Sequence, residues 1–481
     1  MRSFLLSAFL TASLCLPGHT LADEYTLPDI GTAGITALSV QKEMQIGQYF
    51  LRQARGSMSI IDDPVLNEYL NSIGNRLLIA AGNVRFPFTF MNVNNPALNA
   101  SAFLGGVVQV NSGLYHYCET EDQFASVLSH EISHVTLRHI ARFIENQTQV
   151  TALSTAGIIG AVVMSIINPA VGAAALSTTM GATVQSRINF TRDNEYEADR
   201  AGIDLLAKAK FNPFGMPDLF RLLLERQGNI NPAFAMLIDH PLSEIRVAQA
   251  QSRAEQLGKR KNSANPNFYM AKARVDVRYM GVYDLEELKR TLTANASKRS
   301  DVYINYALAL TCFALKQYDE SYAYLNKLKG LQGNVFVLDL LTDLDLQTGK
   351  YQSAVSRLMG PYRKSPDNEA LALNLANAYL QSKQARSAVK ILNDFTRKHP
   401  NNVQAWSLLS KSALELHDRC TGLQARGRMF TLAAAYPQAL NAFSQAMNYC
   451  SSSYDRDIVR ALTAKTGEQR NFDESIEKEM H

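Results

Sequence analysis

Apolar side chains recur at helical spacing from residue 23 to about 80, most plainly at Leu66, Leu70, Ile73, Leu77 and Leu78. The pattern then changes to one suited to strands. Val84-Arg85-Phe86-Pro87-Phe88-Thr89-Phe90 is rich in β-branched and aromatic residues. Leu104-Gly105-Gly106-Val107-Val108-Gln109-Val110 sets a Gly-Gly pair before a β-branched run, which Asn111-Ser112-Gly113 interrupts. A small sheet is therefore predicted just before one helix over residues 121–144, with Thr120 at its start and acidic residues in its first turn. The sheet edge near Gly105 to Val110 offers a place for an extended peptide to add as a further strand.

From Asn146 to Ser186 no residue is charged. Val150 to Ile167 supplies 18 uncharged residues, at the lower limit for crossing a bilayer, but Asn168-Pro169 follows directly. Three readings stay open: a spanning helix, ordinary core, or an apolar hairpin that covers a cleft or touches a membrane surface over residues 150–185. Beyond Arg260-Lys261-Asn262-Ser263 strand signals cease and helical patterns come in pairs. Ser353-Ala354-Val355 recurs as Ser387-Ala388-Val389 and Pro366 as Pro400, each 34 residues on, with Pro437 37 further along. That period, with small residues where helices cross and proline between pairs, is the signature of tetratricopeptide repeats. Tyr318-Asp319-Glu320 before Ala323 reads as an earlier, drifted copy, and the last repeat departs from the period.

The 481 residues are 46% apolar and 19% charged, which excludes a disordered chain and suits two or three domains of roughly 150 residues each. Lys and Arg number 48 against 44 Asp and Glu, a net +4, so no basic face for nucleic acid is advertised. Arg2, the apolar run from Phe4 to Leu16 and the small-residue exit Thr20-Leu21-Ala22 read as a secretory signal over residues 1–22, cleaved before Asp23. Export leaves Cys118, Cys312, Cys420 and Cys450 in an oxidising compartment, with three possible pairings or none. Cys420 with Cys450 is the favoured pair, because both lie in the last repeats and close a loop of about 30 residues.

The chemistry lies in His130-Glu131-Ile132-Ser133-His134. Two histidines four apart on a helix face the same way and can offer imidazole nitrogens to one Zn²⁺, one ion per chain, while Glu131 beside them can take a proton from water. His139, five beyond His134, falls on the wrong face of a continuous helix for the same metal; it reads as a polar residue or one that supports the site from behind. The third ligand is sought in Asn194-Glu195-Tyr196-Glu197-Ala198-Asp199-Arg200-Ala201-Gly202, where Glu195, Ala198, Asp199 and Gly202 share one helical face. Glu195 is the candidate ligand and Asp199 the carboxylate that orients a ligand imidazole, while Glu197, Arg200 and Asp204 fall on the opposite, solvated face.

HEISH followed 61 residues later by the E-x-x-x-D helix resembles peptidase family M48, and the leader with C-terminal repeats resembles its periplasmic branch. The resemblance implies an α+β fold: a mainly helical zincin-type metalloprotease domain with a small sheet, followed by an all-α tetratricopeptide-repeat solenoid. It implies Glu131 as catalytic base, His130, His134 and Glu195 as zinc ligands, and Asp199 as a second acidic residue, sometimes described as a proton donor. His240, in Asp239-His240-Pro241 before Arg246, matches a loop histidine proposed to fill the fourth zinc position and shut the site. Its own residue chemistry leaves three roles open: metal contact, polarising a substrate carbonyl, or capping a helix.

The expected plan is a signal peptide over 1–22, the metalloprotease domain over 23–260, a linker with first helices over 261–300, repeats over 301–465 and a polar tail over 466–481. The function implied is that of a periplasmic zinc endopeptidase and chaperone that degrades misfolded or stalled outer-membrane proteins and promotes their assembly. The repeats would contact the outer-membrane barrel-assembly machinery. A repeat-based scaffold with little proteolysis, or a membrane-embedded processing protease, are the alternatives.

Overall fold

The computed structural model describes residues 38–82, 84, 85, 87–150, 184–226, 236, 240–282, 284–296 and 301–480. The predicted leader and the uncharged stretch 150–185, apart from the helix ends at 150 and 184–185, lie outside the described residues. None of the described helices is long and apolar enough to cross a membrane.

Helices α1 (Val40–Ser57) and α2 (Pro64–Ala81) open the fold. Ser39 and Asp63 cap them, each side chain accepting from backbone N–H groups of the first turn, and Pro64 sits where a missing N–H costs nothing. Three strands follow: β1 (Thr89–Val93), β2 (Ala100–Phe103) and β3 (Val107–Asn111), in the order β1-β3-β2. β3 pairs parallel with β1 and antiparallel with β2. The segment expected to present a free edge is thus the central strand, and the short β2, unseen in the sequence pattern, is an edge. Four residues of which three have small or polar side chains are too few to show alternation.

After α3 (Ser112–Tyr117) comes α4 (Glu121–Thr136), started by a capping box between Thr120 and Gln123. The single helix expected over 121–144 is broken: Arg138 adopts φ +58° and α5 (His139–Val150) starts anew. α6 (Val184–Lys208) packs along α4, followed by α7 (Gly215–Arg226), α8 (Glu244–Leu257), α9 (Pro266–Arg278) and α10 (Leu285–Ala296).

Ten further helices form five pairs: α11 (Val302–Ala314) with α12 (Tyr318–Asn326), α13 (Val335–Gln347) with α14 (Tyr351–Lys364), α15 (Glu369–Gln381) with α16 (Ala385–Lys398), α17 (Val403–Glu415) with α18 (Arg419–Leu432), and α19 (Tyr436–Met447) with α20 (Ser453–Met480). First helices begin 33 or 34 residues apart throughout, so the last pair keeps the period. Pro437 misled because it opens a helix, whereas Pro366 and Pro400 precede one. Residues 466–480, expected as a polar tail, belong to α20, where Ile476 is buried and Asp473 binds Arg52 of α1 at 2.5 Å. Cys420 and Cys450 form a disulfide across the last two pairs; Cys118 and Cys312 are buried thiols.

One apolar core runs from Ile61 and Leu66 of the first half to Leu340 and Ala370 of the repeats. Arg274 of α9, fully enclosed, bridges Asp63 and Asp339 at 2.6 Å each and ties α2 to α13. The described residues accordingly form a single unit without a boundary near 260.

Candidate metal centre and active site

α4 presents His130 and His134 one turn apart, with Glu131 beside them. α6 approaches closely because Ala198 and Gly202 face α4; a Cβ on Gly202 would stand 3.2 Å from the His130 nitrogen and 3.3 Å from Ser129 Oγ. This brings Glu195 and Asp199 against the histidines. His240, just before α8, completes the cluster.

The Nε2 atoms of His130 and His134 are 2.9 Å apart. Glu195 Oε2 lies 3.4 Å from the first and Oε1 3.5 Å from the second. His240 Nδ1 is 3.3 Å from His130 Nε2 and 3.1 and 3.2 Å from the Glu195 oxygens. Four donors at the corners of a tetrahedron around an ion 2.0–2.1 Å away would stand about 3.3–3.4 Å apart. The separations given above, 2.9–3.5 Å, fall within about 0.5 Å of that figure, and all four donors lie within 4.8 Å of one another, close enough to converge on one metal ion.

Behind the donors, His130 Nδ1 is 3.0 Å from Asp199 Oδ1, and Arg246 of α8 grips Asp199 with two bonds of 2.7 and 2.8 Å. Arg246 also reaches Glu195 Oε2 at 3.0 Å and the Pro241 carbonyl at 2.9 Å, tethering the His240 loop. Glu131 is buried; its Oε2 accepts the Ala102 N–H of β2 at 2.7 Å, while Oε1 accepts no hydrogen bond among the described residues and stands 3.4 Å from His240 Nε2.

Burial disfavours charge on every group here, and the neighbours decide what survives. Burial pushes the Glu131 carboxyl up, against the pull of His240 and His130. For Glu195 burial is outweighed by His240 and His130, which hold it far below the usual carboxylate range. For His130 burial is likewise outweighed, by Asp199 and Glu195, and the imidazole is raised to about 10. His134 is held well below its ordinary value, by burial first and the neighbouring His130 next. The carboxylates thus call for a cation among the imidazoles, the place a metal ion takes from a proton.

His139 does not lie on the face an unbroken helix would give it. The break at Arg138 brings its Nδ1 to 2.9 Å from His134 Nδ1, while Nε2 is 3.1 Å from Glu197 Oε2 and Arg142 Nη1 meets the same oxygen at 2.7 Å. Glu197 and Arg246 were not legible as site residues. A signal existed for Arg246: two carboxylates buried one turn apart need a cation. None existed for Glu197, which points at the site only because the helix breaks.

Residues 64–254 match peptidase family M48 and residues 345–412 a tetratricopeptide repeat. The beta-barrel assembly-enhancing protease of Yersinia pestis is 37% identical over 454 residues, covering 91% of this chain and 93% of its own. The chain belongs to peptidase family M48. As an M48 peptidase it is a metalloprotease, with a cluster of donors that fits the family's metal requirement. The beta-barrel assembly-enhancing protease of Escherichia coli K12 is 39% identical over 88% of this chain and 87% of its own. The mitochondrial metalloendopeptidase OMA1 of Schizosaccharomyces pombe shares 27% over 186 residues, 38% of this chain and 51% of its own.

Proposed function

We propose that this M48 peptidase is a periplasmic zinc endopeptidase that cleaves misfolded or stalled outer-membrane β-barrel proteins and promotes their assembly, with the repeats contacting substrate or assembly machinery. The observation that carries the reading is the convergence of His130, His134, Glu195 and His240 within 4.8 Å of one another beside a buried Glu131 whose Oε1 accepts no hydrogen bond among the described residues. The names of the Yersinia and Escherichia relatives support the substrate class, and the leader-like residues 1–22 support export.

His130, His134 and Glu195 would hold the ion. Zinc supplies a Lewis acid and lowers the pKa of a nearby water toward about 7. Glu131, with its pKa already raised by burial, takes the water proton through Oε1 and hands it to the leaving amine. Its Oε2 anchors it to Ala102, so the base and the β2 edge are fixed together. A substrate strand added along β2 would lie beside that base. Asp199 acts on His130 from behind: Arg246 engages both its oxygens, and a proton donor to the substrate is better sought elsewhere. His240, whose Nδ1 stands 3.1–3.3 Å from His130 Nε2 and the Glu195 oxygens, would supply a fourth donor and keep the resting site closed until a substrate or partner draws the loop away.

Glu131→Gln should keep one zinc per chain and lose proteolysis of an unfolded barrel protein by about 10²–10⁴-fold. Activity equal to wild type overturns the mechanism. His240→Ala should digest more substrate, and itself, while the double variant with Glu131→Gln is silent. A His240→Ala variant as inactive as Glu131→Gln refutes the gate and leaves His240 as a donor to the developing oxyanion.

A further inference from the structure

The break between α4 and α5 has a chemical result at the metal site. Arg138 holds φ +58°, a left-handed conformation that an ordinary residue rarely adopts. Its guanidinium keeps it there: Nε donates to Glu43 Oε1 at 2.8 Å and Nη2 to the Leu38 carbonyl at 2.6 Å, with both Arg138 and Glu43 buried. In an unbroken helix a residue five places on lies about 140° around the axis. The break cancels that rotation and sets the His139 ring edge-on to the His134 ring, with centroids 4.8 Å apart.

Proton positions then follow from the ligand role. With His134 Nε2 turned to the donor cluster, its ring proton sits on Nδ1 and is donated to His139 Nδ1 at 2.9 Å. His139 must then carry its own proton on Nε2, which it donates to Glu197 Oε2 at 3.1 Å, and Arg142 neutralises that carboxylate. Each atom in the chain has one partner of the required kind. His130 has an equivalent backing in Asp199 and Arg246, so both metal histidines rest on a carboxylate and an arginine, one of them through an inserted imidazole.

We propose that His139 is the positioning residue of His134, fixing its tautomer and ring orientation toward the metal, with Glu197 and Arg142 completing the chain and the Arg138 break placing His139 within reach. This rests on the ligand reading above.

The test is the zinc dissociation constant of the full chain, measured by competition with a chromophoric chelator and accompanied by thermal melts. His139→Leu should weaken zinc about 10–100-fold. His139→Asn, whose amide oxygen can take the place of Nδ1 as acceptor, should recover most of that loss. Wild-type affinity in a folded His139→Leu overturns the proposal, as do equal losses in the Leu and Asn variants, which would mark a packing effect. Should His139→Leu fail to fold, Glu197→Leu keeps the imidazole but removes its acceptor; it should weaken zinc by less than His139→Leu, and unchanged affinity overturns the proposal. His134→Ala separates the two readings. If it binds zinc as wild type does, the ligand assignment itself fails; if it loses zinc while His139→Leu does not, only the positioning role fails.

Discussion

The two halves of the molecule bury polar groups in opposite ways. Around the metal centre His130, Glu131, Glu195, Asp199 and Arg246 are all enclosed, and each depends on atoms from another helix or strand. In the repeats, buried hydroxyls find partners close by: Thr311, Thr342, Thr396 and Ser412 each donate to the carbonyl four residues back on the same helix, and Ser321 and Ser410 to the other helix of their own pair. Much of this satisfaction is local, with a few bonds such as Asn374 to Asp339 and Tyr322 to Asp345 joining neighbouring pairs, whereas the site exists only when α4, α6, β2 and α8 come together. Where the halves meet, Arg274 follows the rule of the site, as a lone buried cation between carboxylates from both.

The junction is the place to break this contrast most severely. Arg274→Ala leaves Asp63 and Asp339 buried without their cation and should destabilise the protein by about 3–5 kcal/mol, read as a fall in the denaturation midpoint. An effect below about 1 kcal/mol would mean that water reaches the junction as it would a surface pair.

A second junction contact gives a smaller, pH-dependent effect. Glu369 of α15 accepts from Asn67 of α2, and burial, with Glu68 and Asp62 nearby, raises its carboxyl to about 7. A carboxyl raised in the folded state contributes stability that is complete below about 4.5 and is lost as pH rises through 7. Glu369→Gln should remove that loss, leaving the variant about 1–2 kcal/mol more stable than wild type at pH 8 and no more stable at pH 4. Parallel stability curves for the two proteins would contradict it.

The smallest effect is expected within the repeats. Lys316, Gly349, Lys383 and His417 all take positive φ at the turn between paired helices. Lys383→Gly should add about 0.5–1 kcal/mol, because glycine meets no Cβ clash at φ +61°. A loss of stability would show that the lysine side chain outweighs the backbone.

These turns also explain what the sequence concealed. Ala354 and Ala388, fully buried where helices cross, repeat in the amino-acid pattern and reveal the solenoid. The left-handed turn repeats in geometry, yet glycine marks it at one position of the four, so no composition signal follows it. At the site, His130 with His134 and Glu195 with Asp199 were legible because a spacing of four puts each pair on one helical face. The strand β2 and the α4 break were not, since one is four residues long and the other is imposed from α1 through Glu43. Local periodicity carries no trace of a distant ion pair.

The last helix sets a condition on how the chain comes to its final state. Arg52 and Asp473 are separated by 421 residues, and at about 5–20 residues per second synthesis supplies the partner on the order of a minute after the arginine. Until then Arg52 lacks Asp473, and the apolar cluster of α1 with Phe103 and Leu104 lacks Ile476. The contact that seals α1 is thus made from α20, and any product lacking that helix leaves α1 unsealed.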